Sequence, residues 1–193
     1  MIAGHFGFAA GVKAGERDVP LWALMLASQW LDVIFVPLLL LGLEGLTPVP
    51  GTHGGYGDVM IHADYTHSLV GALFLSVLFG AVATLRWGGR SGLILGAVVF
   101  SHWVLDLIVH REDMPVLPGG AGNLPRLGFG LWRLPVASAS LELLLVIAGS
   151  YLYFRAARQV VEASGQSPRR AFVVAGVLLA SGLLVLGLNL LGL

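Results

Sequence analysis

Five stretches of this chain stay apolar for about the 20 residues a helix needs to cross the hydrocarbon core of a bilayer. They run approximately over residues 20 to 43, 67 to 86, 91 to 110, 132 to 154 and 171 to 193. A segment in lipid has no water to bond its peptide groups, so each such stretch must be helical. The expected fold is therefore all-α, a polytopic membrane helical bundle of about five transmembrane helices. It forms a single integral membrane domain over residues 1 to 193, with 1 to 155 a bundle that carries a polar site and 171 to 193 an additional transmembrane anchor. A mean hydropathy of +0.85 and only 11% charged residues agree, since neither suits a water-soluble globule.

The segment ahead of the first run, MIAGHFGFAAGVKAG, is apolar but too short to span. It reads as a short half-helix over residues 2 to 14, either interfacial or dipping into the protein. A cleaved signal peptide is not expected, because the positive charges follow the apolar stretch and no small-residue cleavage site comes after the long run at 20 to 43. Orientation follows from the basic residues near the span ends. With the N-terminus on the cytoplasmic side, Lys13, Arg17, Arg86 and Arg90 are inside, as are Arg155, Arg158, Arg169 and Arg170. Only Arg111, Arg126 and Arg133 fall outside, a bias of 8 to 3.

Eleven basic and eleven acidic residues cancel, which removes the electrostatic case for a nucleic-acid partner. The absence of cysteine excludes disulfides, thiolate metal sites and cysteine nucleophiles. Histidine, carboxylate and hydroxyl groups are the chemistry that remains.

Some of those groups stand where lipid should be. Asp32, His102, Asp106 and Glu142 interrupt apolar runs, and a charge at the bilayer centre costs at least about 2.5 to 3.5 kcal/mol on insertion scales. At 1.5 Å rise per residue, Asp32, His102 and Glu142 each lie roughly 18 to 20 Å from the cytoplasmic end of their helices, so three helices carry ionisable groups to one depth. Asp106 comes roughly 6 Å further out, and His67 and His110 further still; a helical 5 to 17 brings His5 to the same region. His102, Asp106 and His110 in SHWVLDLIVH are spaced i, i+4, i+8 and form one stripe. The two histidines are about 12 Å apart along the axis, too far to share one ion, while the aspartate between them can bridge two ions about 3.5 to 4 Å apart. Nitrogen and oxygen ligands without thiolate suit a divalent metal of the zinc type, with manganese or iron as the other options.

Each of these residues also has a structural reading. Asp32, His102, Asp106 and Glu142 can be hydrogen-bonded pairs that hold helices together, and Pro37 can kink its helix near Asp32 or be an ordinary membrane-helix proline. The loops at 44 to 66 and 111 to 130 are rich in Gly and Pro, and neither reads as a separate domain. His53 and His62 in the first loop read as solvated. Asp64 or Thr66 is as much a helix N-cap as a ligand contact. No internal repeat is visible, which weighs against the rival class of a proton- or cation-coupled transporter built on the same carboxylates and histidines. A non-catalytic adaptor is the third class.

His5 in MIAGHFG, Asp32 in QWLDVIF, His67 in DYTHSLVG, and His102 with Asp106 in SHWVLDL resemble a family of small bacterial inner-membrane proteins described as membrane-bound metal-dependent hydrolases, one of them LexA-regulated. The resemblance covers roughly residues 1 to 155, and its specific elements are THSL and SHxxLD. A more distant likeness is to the zinc-dependent phospholipase C and single-strand nuclease group, whose ligand order Met1, His5, Asp32, His67, His102, Asp106 and His110 follow. The last element departs from that order, because Glu142 is preceded four residues earlier by Ser138 in place of histidine.

The likeness implies one to three divalent ions, with His67, His102, Asp32 and Asp106 on the first, and the Met1 amine, His5 and Asp106 on another. It implies a hydrolase of the bacterial inner membrane acting on a phospholipid or lipid-linked phosphoester, its site open to the extracytoplasmic half. Asp32, Asp106 and Glu142 are then the catalytic carboxylates, and Arg111, Arg126 and Arg133 the groups expected to hold a lipid phosphate.

Overall fold

The computed structural model describes residues 1–52, 56–165 and 167–192, and over these the chain is mostly helical. The helices are α1 (Ile2–Gly15), α2 (Leu21–Ser28), α3 (Trp30–Leu40), α4 (Leu69–Val109), α5 (Pro135–Ala163) and α6 (Arg169–Leu190). Three of them, α4, α5 and α6, are long and apolar enough to cross a membrane, and α2 with α3 adds a fourth if that bent pair is one span. Large apolar side chains stand outward, with Leu85 88% and Leu93 76% exposed, while histidine and carboxylate side chains are buried inside. That inversion is what a lipid-facing surface around a polar interior requires.

The first apolar run is not one straight helix. It breaks at Gln29, and its two halves are bent by 48°. The kink expected near Pro37 is therefore placed earlier, and α3 continues through Pro37, with the Leu41 amide bonding the Pro37 carbonyl at 3.1 Å. The second and third runs are the two arms of α4, which separate at Gly88. Its φ of 83° and ψ of 166° suit glycine and almost nothing else. The arms then fold back on each other. A Cβ on Gly80 would stand 2.8 Å from the Gly92 carbonyl oxygen and one on Gly96 2.9 Å from that of Ser76, so small residues let the backbones touch. The N-cap of α4 is neither Asp64 nor Thr66. Ser68 takes that place, its hydroxyl accepting from the Gly71 amide at 3.0 Å.

The short N-terminal helix is inside the bundle, not at its interface. It lies parallel to α5 with backbones in contact, since a Cβ on Gly149 would come 1.8 Å from the Gly7 carbonyl oxygen. Met1 is consequently buried at the polar cluster, while Lys13 and Arg17 lie at the far end of α1 beside Tyr153 and Val161. The N-terminus is thus separated from the basic residues with which it was expected to lie.

The loop at 44 to 66 also has more structure than its Gly and Pro content suggests. Gly45–Pro48 (β1) and Val59–His62 (β2) pair antiparallel, Gly45 opposite His62 and Pro48 opposite Val59. His62 bonds Thr47 across this ribbon at 2.8 Å. His53 lies outside the described residues. The ribbon, the loop after α4 and the start of α5 form the end of the molecule nearest the cluster, tied by Ile61 N–H donating to Asp113 at 3.0 Å and Arg126 to Asp64 at 2.7 Å.

Candidate metal centre

Four helices deliver the polar cluster. The first turn of α1 brings the Met1 amine and His5, α3 brings Asp32, and the second arm of α4 brings His102 and Asp106, with His110 just past its end. His67 precedes the first arm of α4, and Glu142 comes from α5. Asp106 is the hub. Its Oδ1 is 3.1 Å from His5 Nε2 and 3.6 Å from the Met1 nitrogen, and its Oδ2 is 3.1 Å from His102 Nε2 and 3.6 Å from both His67 Nε2 and His110 Nε2. Asp32 Oδ1 lies 3.5 Å from His67 Nε2 and 3.7 Å from His102 Nε2. His102 and His110 are two turns apart on the helix, yet both side chains lean onto the carboxylate between them.

The far sides of the histidines fix where their protons are. His102 Nδ1 is 2.7 Å from the Ser28 carbonyl, which the break at Gln29 turns toward it and which can only accept. His110 Nδ1 is 3.0 Å from Asp113 Oδ1, a carboxylate already accepting from the Ile61 amide. His67 Nδ1 is 2.8 Å from Thr66 Oγ1. Thr66 spends its one hydroxyl proton on Glu44, 3.0 Å away, so its oxygen accepts from His67. Glu44 in turn accepts from the Tyr65 and Thr66 amides at 2.9 and 2.8 Å, as a carboxylate does. All three rings therefore carry hydrogen on Nδ1 and turn Nε2 inward.

Those Nε2 atoms meet only acceptors. His67 Nε2 and His102 Nε2 are 3.3 Å apart, with the oxygens of Asp32 and Asp106 around them. Ring nitrogens and carboxylate oxygens packed this closely in a buried space need positive charge among them, which a bound cation supplies as well as a ring proton does. Two trios have ligand atoms mutually within 4.8 Å, Asp32–His67–His102 and His5–His102–Asp106, so the residues fit one or two ions with nitrogen and oxygen ligands. His110 stands beside Asp106 but belongs to neither trio. His5 is stacked on His102 at 3.8 Å, and its Nδ1 is a buried ring nitrogen with no hydrogen-bond partner among the described residues.

Glu142 is fully buried and faces the same cavity, yet it stands outside both trios. One oxygen accepts from the Gly4 amide at 3.1 Å and the other from the Tyr56 hydroxyl. Ser138, one turn before Glu142 in α5, is 3.0 Å from the same hydroxyl. Burial, and then the Glu142 carboxylate, push the Tyr56 phenol above its ordinary range, so it stays protonated and donates.

The cavity has a volume of about 480 Å³. The polar cluster lies against one side, and Phe35, Val36, Leu46, Val59 and Ile61 supply apolar walls. Arg111, Arg126 and Arg133 do not line it. Each is held elsewhere by a neighbour: Arg111 by the Gly57 carbonyl at 3.2 Å, Arg126 by Asp64, and Arg133 by Glu112 at 2.5 Å.

Sequence reasoning overlooked Glu44, Tyr56, Asp113 and Asn189, the last of which brings α6 into the cavity wall. One signal was present for Glu44, a carboxylate ending an apolar run in a loop without a Lys or Arg to pair with it. Comparison with family models, curated proteins and solved structures finds no match, so the side chains themselves carry the functional reading.

Proposed function

We propose that this chain is a membrane-embedded, metal-dependent hydrolase that cleaves a phosphoester of a phospholipid or lipid-linked carrier. The observation that carries the reading is the convergence of three inward histidine Nε2 atoms on the carboxylates of Asp32 and Asp106, with ligand atoms close enough together to share an ion. Asp32, His67 and His102 would hold one divalent ion of the zinc type, and His5 and Asp106, with the Met1 amine beside them, a second. Such ions lower the pKa of a bound water toward about 7 and offset charge on a phosphoryl oxygen. Asp32, whose side chain is 37% exposed, is the carboxylate with room to accept the proton of an attacking water. The Thr66–Glu44 pair, the Ser28 carbonyl and Asp113 keep the three rings aimed. Tyr56 and the Gly4 amide hold the Glu142 carboxylate at the rim of the cluster.

The likeness to the inner-membrane hydrolase family supports the same activity and a bacterial inner-membrane location. Counting each arm of α4 and the bent α2–α3 pair as crossings gives a five-span bundle. The basic residues at the Gly88 end then face the cytoplasm, and the cluster opens to the outer half. A cation relay across the bilayer fits less well, because the interior between the cluster and the Gly88 end is closed by fully buried Leu24, Leu95 and Val99.

The test is elemental analysis of the purified protein together with release of a water-soluble phosphate compound from phospholipid vesicles. Stoichiometric zinc-type metal and turnover, both lost in His102→Ala, are expected. Protein that holds no divalent metal after reconstitution, or metal with ion flux and no turnover, would overturn the reading.

A further inference from the structure

We infer that substrate reaches the centre sideways from the lipid, through a slot between α3 and α6, and that the Asn189 amide hydrogen-bonds an oxygen next to the scissile phosphoester. This rests on the hydrolase reading and narrows its substrate to a glycerolipid-type amphiphile, with apolar chains joined through ester carbonyls to a phosphorylated head.

The slot follows from how the helices pack. α3 lies against α4 and α2, and α6 against α5 and α1, while any contact between α3 and α6 is at most marginal. The first turn of α1 floors the space between them, its start tethered by Gln29 donating to the Ile2 carbonyl at 3.2 Å. The cavity wall on this side is Ile2, Val36, Leu46 and the end of α6, and Ile2 and Val36 remain 42% and 51% exposed. Apolar, exposed side chains lead directly from the lipid-facing surface to the carboxylates and histidines. The volume of about 480 Å³ is that of an ordinary ligand pocket, enough for a head group and the first part of its chains, and the rest stays in the bilayer.

Asn189 supplies the second observation. It lies in a helix whose run from Ala171 to Gly192 has no ionisable residue, so an anchor alone gives it no task. It lines the cavity, and its side-chain amide bonds no described residue. An amide without a partner beside hydrocarbon is unfavourable, and a ligand with a carbonyl oxygen at this height relieves it. Pairing an unpartnered donor near a metal-type cluster with apolar walls is how a pocket selects a polar group within an otherwise apolar ligand.

Binding of non-hydrolysable phosphonate lipids to the full chain in detergent tests this without relying on turnover. Two probes are compared, one with ester-linked and one with ether-linked chains. Wild type is expected to bind the ester lipid about fivefold to tenfold more tightly, the gain of one hydrogen bond. Asn189→Leu should remove that preference without changing affinity for the ether lipid, and Asn189→Gln should keep part of it. Val36→Trp, at a half-exposed position, should weaken both by obstructing the slot. Bound metal and thermal midpoint, measured on every variant, establish that the bundle is intact. An unchanged ester preference in Asn189→Leu, unchanged binding in Val36→Trp, or no saturable binding by wild type overturns the inference. Saturable, ester-selective binding by a wild-type protein that hydrolyses no lipid leaves the inference standing and removes the hydrolase reading instead.

Discussion

Thr66 decides which nitrogen of His67 faces the centre, and it does so with a single proton. Because that proton goes to Glu44, the Thr66 oxygen must accept from His67 Nδ1, and Nε2 is left free to ligate. Thr66→Val should therefore lower metal affinity by about 10- to 100-fold although no ligand is removed, as loss of an orienting partner commonly does. A metal titration checks it, and affinity equal to wild type would leave the Glu44–Thr66 pair a helix-packing device. His102→Ala removes a member of both trios and should abolish stoichiometric binding, whereas Glu142→Gln should retain it. The cost of Glu142→Gln lies elsewhere. A glutamine amide nitrogen cannot accept, so either the Gly4 amide or the Tyr56 hydroxyl loses its partner, and destabilisation of about 1 to 3 kcal/mol is expected in a thermal or denaturant melt. Loss of metal in Glu142→Gln would make it a ligand. Asp32, His102 and Asp106 were legible in the sequence because a charged residue inside an apolar run stands out. Glu44 stood out only as an unpaired carboxylate in its loop, and its role, like those of Asp113 and the Ser28 carbonyl, was not legible, because their partners are set by chain reversal and a helix break that no local pattern announces.

At the scale of the helix, glycine sets the distances on which the centre depends. Gly7 and Gly149 bring α1 onto α5 backbone to backbone, and α1 is what carries Met1 and His5 to Asp106. Gly149→Ala would set a methyl 1.8 Å from the Gly7 carbonyl oxygen, so the helices must part. Overpacking of this kind costs about 1 to 3 kcal/mol or more. The expected result is a lower thermal midpoint and weaker metal retention together, while Gly176→Ala, with nothing within 4 Å, should change neither. A Gly149→Ala protein with wild-type midpoint and metal would mean that α1 does not need this contact. The existence of these helices could be read from the apolar runs, since twenty residues without water leave a chain few alternatives. The break at Gln29 could not, for Ser28-Gln29-Trp30 contains no Gly or Pro, and Pro37, the visible breaker, is accommodated within α3. Nor could the ribbon of β1 and β2, whose strands of four residues carry too little alternation to register against their Gly- and Pro-rich surroundings.

For the whole molecule, the two ends differ in charge and in contents, and the number of crossings between them is open to a direct count. Arg90 pairs with Glu16 at 3.0 Å, joining the turn after α1 to the turn at Gly88, and the last residues of α5 lie beside Lys13 and Arg17. The opposite end carries the ribbon, Asp64 with Arg126, and the mouth of the cavity. The chain is free of cysteine, so single cysteines report position without background. Thr52, before α4, and Ser164, after α5, are both exposed, and α4 and α5 are the only helices long enough to span between them among the described residues. If the arms of α4 are two crossings, three crossings intervene and the sites lie on opposite sides. If α4 crosses once, two intervene and the sites lie on the same side. The Gly88 conformation and the contact of Gly80 with Gly92 favour the former, and on the proposed orientation, read from the positive-inside bias, Ser164 faces the cytoplasm. Thr52→Cys should therefore react with an impermeant maleimide on intact cells, and Ser164→Cys only after permeabilisation. Labelling of both from one side would undo the hairpin, and the reverse pattern would keep the hairpin but turn the cavity toward the cytoplasmic leaflet, where a different pool of lipid would meet Asp32.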